Sequence, residues 1–147
     1  MFKNLKERMK NKKGFTLVEL IVVIVIILVL AAVMVPSVLR YVEKANQANC
    51  KADAATLLVE LQAEVADYYA EGTVAAFPAP TIGGIAGVGT YDEDVAPTGT
   101  AKAAFTYTLD TTSTSKTLGD ITQFSYGTAR YYINWTLTGG WSAVTKR

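Results

Sequence analysis

Residues 12–36 read KKGFTLVELIVVIVIILVLAAVMVP. Two lysines, Lys12 and Lys13, lead into Gly14 and Phe15, and then into an apolar run that carries a single charge, Glu19. From Leu20 to Val35 sixteen consecutive residues are apolar, with no charge, proline or glycine among them. The twenty-one residues from Phe15 to Val35 extend about 31 Å as a helix at 1.5 Å per residue, enough to cross the hydrocarbon core of a bilayer. A carboxylate at such a depth costs on the order of 2.5–3.5 kcal/mol if it stays unpaired, so Glu19 requires a reason.

The charges of the 147-residue chain nearly cancel, at +1, but they are unevenly placed. Residues 1–14 carry +5, six Lys and Arg against Glu7, and the remainder carries −4, eight basic against twelve acidic side chains. Positive charge beside a span stays cytoplasmic, which predicts the N-terminus inside and the larger part outside. The acidic remainder offers no basic stripe to neutralise phosphates, so no direct nucleic-acid binding is expected. The sequence contains no histidine, which removes imidazole acid–base chemistry and histidine metal sites. Cys50 is the single cysteine, so no intrachain disulfide forms. It reads as a small, half-buried helix residue, with an intermolecular bond as the alternative. The glycine-rich stretch GGIAGVG at 83–89 lacks the lysine of a phosphate-binding loop and reads as a flexible loop.

Helical spacing continues past Pro36. Val38, Tyr41, Val42, Ala45, Ala48, Ala52, Ala55, Leu58, Leu61, Val65 and Tyr68 recur every three or four residues, with charged side chains between them. One helix is therefore expected from about Phe15 to Glu71, ending at Gly72 and bent at Pro36, where a backbone donor is missing. Residues 72–101 hold Pro78, Pro80 and Pro97 among Gly, Ala and Thr, and predict a long loop, with a short strand within it as the alternative. From residue 102 the period changes to two. Phe105, Tyr107 and Leu109 alternate with Thr106 and Thr108. Thr111 to Lys116 make a turn, and alternating runs follow at 121–126 and 131–138. Gly139-Gly140 then turns the chain into Trp141–Val144, with Trp135 and Trp141 as expected anchors. The predicted class is α+β: a long N-terminal helix whose amphipathic half packs on an antiparallel meander of three or four strands.

The basic approach, then Gly14-Phe15-Thr16-Leu17-Val18-Glu19, then an unbroken apolar helix, closely resembles the class III signal of type IV prepilins. The resemblance extends to Pro36 and to the order helix, loop, meander. It implies five segments: a leader at 1–14 that is removed, a transmembrane and polymerisation helix at 15–35, an amphipathic half at 36–71, a variable loop at 72–101, and the sheet of a globular head at 102–147. It implies that a prepilin peptidase cuts between Gly14 and Phe15 and methylates the new amine of Phe15, so both are substrate positions and no catalysis or cofactor is expected of the chain. The implied partners are the membrane before assembly, the peptidase, an assembly platform with a motor ATPase, and further copies of the chain with minor pilins. The implied product is a pilus subunit at the cell surface, in adhesion or surface motility. The alternative is a pseudopilin of a type II secretion system or a DNA-uptake filament, which shares the same N-terminal segment.

Competing readings of that segment are weaker on physical grounds. Secretory cleavage near Val29-Leu30-Ala31 would release the head without an anchor, and the apolar run exceeds the 7–15 residues usual for such signals. A plain anchor leaves Gly14 and Glu19 unexplained. Glu19 itself has two readings. Thr16-Leu17-Val18-Glu19 fits a capping box, in which Glu19 returns to a free backbone N–H and gains from the helix dipole. Alternatively, Glu19 accepts the Phe15 amine of a neighbouring subunit, a contact that does not close and so builds a filament. Two departures from the family pattern stand out: no glycine lies between Phe15 and Pro36, and Cys50 cannot close the C-terminal region with a disulfide. Asp92, Glu93 and Asp94 form a weak candidate for a hard cation, the alternative being a solvated acidic loop. Asn134-Trp135-Thr136 fits a glycosylation sequon but falls in an expected strand.

Overall fold

The computed structural model describes residues 14–70, 76–110 and 119–147. The leader before Gly14, the helix stop at Gly72 and the turn at 111–116 fall outside the described residues. The chain divides into a unit ending at Glu43 and a unit running from Lys44 to Arg147. Among the described residues one helix, α1 (Leu17–Ala70), supplies the helical residues of both, and Pro36 lies inside it without ending it.

Up to Glu43, α1 has no core to pack into, and from Leu17 to Val42 its large apolar side chains are exposed. The segment is long and apolar enough to cross a membrane. From Lys44 onward the helix becomes one wall of a core. Cys50, Ala54, Leu57, Leu58, Leu61 and Val65 are buried against the sheet. This corrects the expected face. Leu58, Leu61 and Val65 lie on it, but Ala45, Ala48 and Ala52 are exposed, and Cys50, Ala54 and Leu57 take their place. Alanine recurs at helical spacing on two neighbouring faces, so periodicity alone does not separate them. The bulkier Leu57 and Leu61 decide which face turns inward, because burying a leucine contributes about 1.5–3 kcal/mol and an alanine far less.

The central strands are β3 (Ala103–Leu109), β4 (Ile121–Thr128) and β5 (Tyr131–Thr136), joined as an antiparallel meander. Phe105 faces Tyr126 and Tyr107 faces Phe124 across β3–β4, while Ile133 and Trp135 continue the same face on β5. A register shift between Thr108 and Leu109 brings Leu109 opposite Ile121. Strict alternation would put Ile121 and Phe124 on opposite faces. The bulge returns Ile121 to the core side, where it is buried with Phe124 and Tyr126. Phe105 and Phe124 are wholly buried, their ring centres 5.9 Å apart.

The stretch expected as a flexible loop is ordered. β1 (Thr81–Ile82) and β2 (Ile85–Val88) form a hairpin. Its turn is Gly83-Gly84, with φ of +57° and +78°. Two successive positive φ angles are what a two-residue I′ turn requires, and glycine reaches them without strain. β2 then runs parallel to β3, pairing Gly87 with Phe105. The meander is thus extended into a mixed sheet of seven strands among the described residues. The far edge is shorter than expected. β6 (Gly140–Trp141) and β7 (Thr145–Lys146) both pair with β5, and between them the Asn134 N–H donates to the Ser142 hydroxyl at 3.0 Å while the Ser142 N–H donates to the Asn134 carbonyl at 2.8 Å.

Tyr126 stands in this core at 3 % exposure. Burial first, then the negative charges near it at Asp53 and Cys50, push its phenol up to about 12. An unfolded tyrosine ionises near pH 10. Below pH 10 both states hold the proton and Tyr126 adds no pH dependence. Between about pH 10 and 12 only the unfolded chain releases it, so stability falls by about 1.4 kcal/mol per unit. Denaturant unfolding of the chain in detergent should show a lower midpoint at pH 11 than at pH 9, and Tyr126→Phe should reduce that drop.

Candidate processing and assembly site at the helix N-terminus

Gly14, Phe15 and Thr16 precede α1 in non-helical conformation, and all three are exposed. A Cβ built on Gly14 meets nothing within 4 Å among the described residues. The fold of the chain therefore places no demand for glycine there. The Gly14–Phe15 bond lies in an accessible backbone stretch, followed directly by the helix. Phe15 is 84 % exposed and packs on no core.

Thr16 closes the helix end. Its hydroxyl accepts the Glu19 backbone N–H at 3.2 Å, and Glu19 Oε2 accepts the Thr16 backbone N–H and hydroxyl, each at 2.9 Å. The first helical bond follows, from the Leu20 N–H to the Thr16 carbonyl at 3.2 Å. Both halves of the capping box are present, so two donors that a helix start leaves unpaired are satisfied. That matters most where water is scarce, because an unpaired N–H in hydrocarbon costs several kcal/mol. Both bonds to the carboxylate use Oε2. Among the described residues Oε1 accepts nothing. The box consists of Thr16 and Glu19 alone, both on the C-terminal side of the Gly14–Phe15 bond, so cutting that bond leaves it whole.

The other sequence-derived candidates do not gather at this site. Asp92, Glu93 and Asp94 lie on a turn over the sheet. Asp92 Oδ1 accepts the Asp94 backbone N–H at 3.1 Å, and Asp94 Oδ1 accepts Arg147 Nε at 2.8 Å. Among the described residues no three His, Cys, Asp or Glu side chains converge as a metal site. Asn134 of the sequon lies in β5 with its Oδ1 buried and without a hydrogen-bond partner among the described residues. Arg147 had no signal in the sequence, since its acceptors lie more than fifty positions away or on another strand.

The described chain thus combines a helix with an exposed apolar half and a capped, acidic first turn with a helix-on-sheet unit. Residues 9–35 match the family model of the prokaryotic N-terminal methylation motif, the class III signal of type IV pilins. The match covers Gly14, Phe15, Thr16 and Glu19 and the whole apolar run to Val35, and it makes this N-terminal segment similar to that of type IV pilins and pseudopilins. Such a motif implies, in general terms, processing by a prepilin peptidase and polymerisation into a pilus-type filament, and the apolar helix fits anchoring in a membrane. No curated protein and no solved structure matches the chain.

Cys50 is distant in character from this site. It is 3 % exposed, and burial, helped by Asp53, pushes its thiol above the ordinary range despite the opposing Arg147. An intermolecular disulfide through a buried, protonated thiol is disfavoured. The folded chain at pH 7.5 should leave Cys50 unlabelled by a maleimide over minutes, whereas labelling should be complete in denaturant. Rapid labelling of the folded chain would contradict the burial described above.

Proposed function

We propose that the chain is a structural subunit of a type IV pilus, a major pilin, processed between Gly14 and Phe15 and methylated on the Phe15 amine. The observation that carries this reading is the arrangement at the start of α1. A carboxylate whose Oε1 accepts nothing among the described residues stands one turn beyond Phe15 on a helix whose apolar side chains are exposed. Cleavage creates a positive amine at Phe15. A neighbour's amine at the free oxygen of Glu19 neutralises a charge that the local cap leaves in place. Donor and acceptor sit on the same helix end, so each subunit offers one of each. The contact is heterologous and propagates into a filament. The local cap and the intermolecular pair are then compatible, one using Oε2 and the other Oε1.

In this reading the segment from Phe15 to Val35 waits in the cytoplasmic membrane with its N-terminus inside, consistent with the basic residues before Gly14. Pro36 bends the helix where it leaves the bilayer. An assembly platform and a motor ATPase then move the subunit into an extracellular fibre, with minor pilins as further partners. The fibre supports adhesion or surface motility. Fibres lost on deletion of the gene support this reading. Loss of secretion or DNA uptake without loss of fibres supports a pseudopilin instead.

Two measurements test the proposal. Intact-mass and N-terminal analysis of the mature protein should find a methylated Phe15, and a start at Met1 would overturn the processing step. Glu19→Ala should be cleaved normally yet lower filament yield by about tenfold or more, the loss expected when about 1.4 kcal/mol is removed from each contact. Thr16→Ala separates the two roles of the carboxylate. It removes the local cap, at about 1 kcal/mol, and should leave assembly closer to wild type than Glu19→Ala does. Normal filament yield from Glu19→Ala would remove the intermolecular pair from the mechanism.

A further inference from the structure

The face of the sheet away from α1 is covered by the segment after β2. Thr106 on β3 and Ser125 on β4 are polar, directly opposite one another, and almost wholly buried. Their cover is residues 92–95. The Asp92 N–H donates to Thr106 Oγ1 at 3.0 Å, and the same hydroxyl donates to the Asp92 carbonyl at 3.2 Å. Further along, Val95 is buried, and a Cβ on Gly127 would fall 1.9 Å from the Val95 carbonyl oxygen. Glycine at 127 is what lets the segment lie flat on β4.

One side chain closes this cover. Arg147, just beyond β7, uses all three guanidinium nitrogens. Nε donates to Asp94 Oδ1 at 2.8 Å, Nη1 to the Thr128 carbonyl at 2.6 Å, and Nη2 to the carbonyls of Asp94, at 3.0 Å, and of Val95. Its carbon sits 5.5 Å from the Tyr132 ring centre, and its own backbone N–H donates to the Arg130 carbonyl at 2.9 Å. The guanidinium therefore joins the 92–95 segment, the end of β4 and the β5–β7 edge at one point.

We propose that residues 92–95 form a strap over the outer face of the sheet and that Arg147 is its latch, opening and closing as a unit while the α1–sheet core stays folded. The latch's main strength lies in the carbonyls, the partly buried one of Val95 above all. The Asp94 carboxylate is 65 % exposed, and an exposed ion pair is screened by water and salt. The bonds to the Thr128 and Asp94 carbonyls are also exposed, but the one to the Val95 carbonyl is partly buried, and a bond from a charged donor to such an acceptor is among the stronger ones. A lysine cannot replace the fork, because it offers a point charge in place of a planar set of donors.

Hydrogen exchange of the full chain in detergent, read by mass spectrometry, tests this. In Arg147→Ala the amides of 92–95 and of β7 should exchange about ten- to a hundredfold faster, while those of β4 within the core keep their protection. Arg147→Lys should behave similarly, and Asp94→Asn should change the same amides by only a few-fold. Unchanged exchange over 92–95 in Arg147→Ala overturns the proposal. An equal effect from Asp94→Asn overturns it in favour of an ordinary surface ion pair. If the strap and β4 accelerate together in both Arg147 variants, no separable strap exists and the proposal also fails.

Discussion

Apolar surface left in water is unfavourable by roughly 25 cal/mol per Å², and α1 leaves twenty large apolar side chains exposed between Leu17 and Val42. No folded state of a single copy in water accommodates that. The surrounding medium must be hydrocarbon or the same surface of another copy. Every other feature is consistent with this constraint. The helix has no charge between Glu19 and Arg40, which suits lipid. The charged spacing returns beyond it, and the buried face begins at Cys50, where the sheet takes over as partner. A soluble core helix of this composition would have its apolar residues buried all round, and here they are exposed all round.

The same constraint gives the capping box its importance. In water a helix start satisfies its free N–H groups with solvent, so a cap adds only about 1 kcal/mol. At the edge of hydrocarbon the solvent is scarce, and Thr16 with Glu19 satisfies the donors from within the chain. The solution leaves a negative charge in place. A residue able to cap without carrying charge, such as serine or asparagine, was available to the sequence. The choice of glutamate gives the surface a second requirement, for a cation, which the proposed cleavage before Phe15 would supply as a new amine.

Sequence patterns made the N-terminal site and the central strands legible for a common reason: both are local. The capping box is a four-residue pattern, the span is a composition, and Phe105, Tyr107 and the 131–135 run follow period two within one strand. What stayed hidden depended on partners distant in the chain. The inward face of α1 was misassigned at Ala45, Ala48 and Ala52 because only the sheet distinguishes two equally spaced alanine rows. Ile121 seemed to face away from Phe124 because a bulge leaves no mark in a single strand. Gly83-Gly84 read as flexibility, although paired glycines with strands on both sides are also how a tight hairpin is built. Arg147 was silent, since nothing in a lone arginine states that three carbonyls from two other segments converge on it.

Those distant contacts also explain how the unit from Lys44 to Arg147 holds together without a cross-link. Its sheet is short at both edges, with two-residue strands at β1, β6 and β7, and such strands contribute little on their own. One face is secured by burial of aromatic rings, from Tyr107 and Phe105 through Phe124 to Trp141, where offset and edge contacts add to the apolar area. The other face is polar, and Thr106 and Ser125 would stand in water without a cover. Burying them is favourable only because each hydroxyl meets a backbone partner in 92–95. The two faces thus hold by different physics, one by area and one by matched donors and acceptors. The second kind is the more easily separated, because a few directional bonds can be released while the aromatic face stays buried.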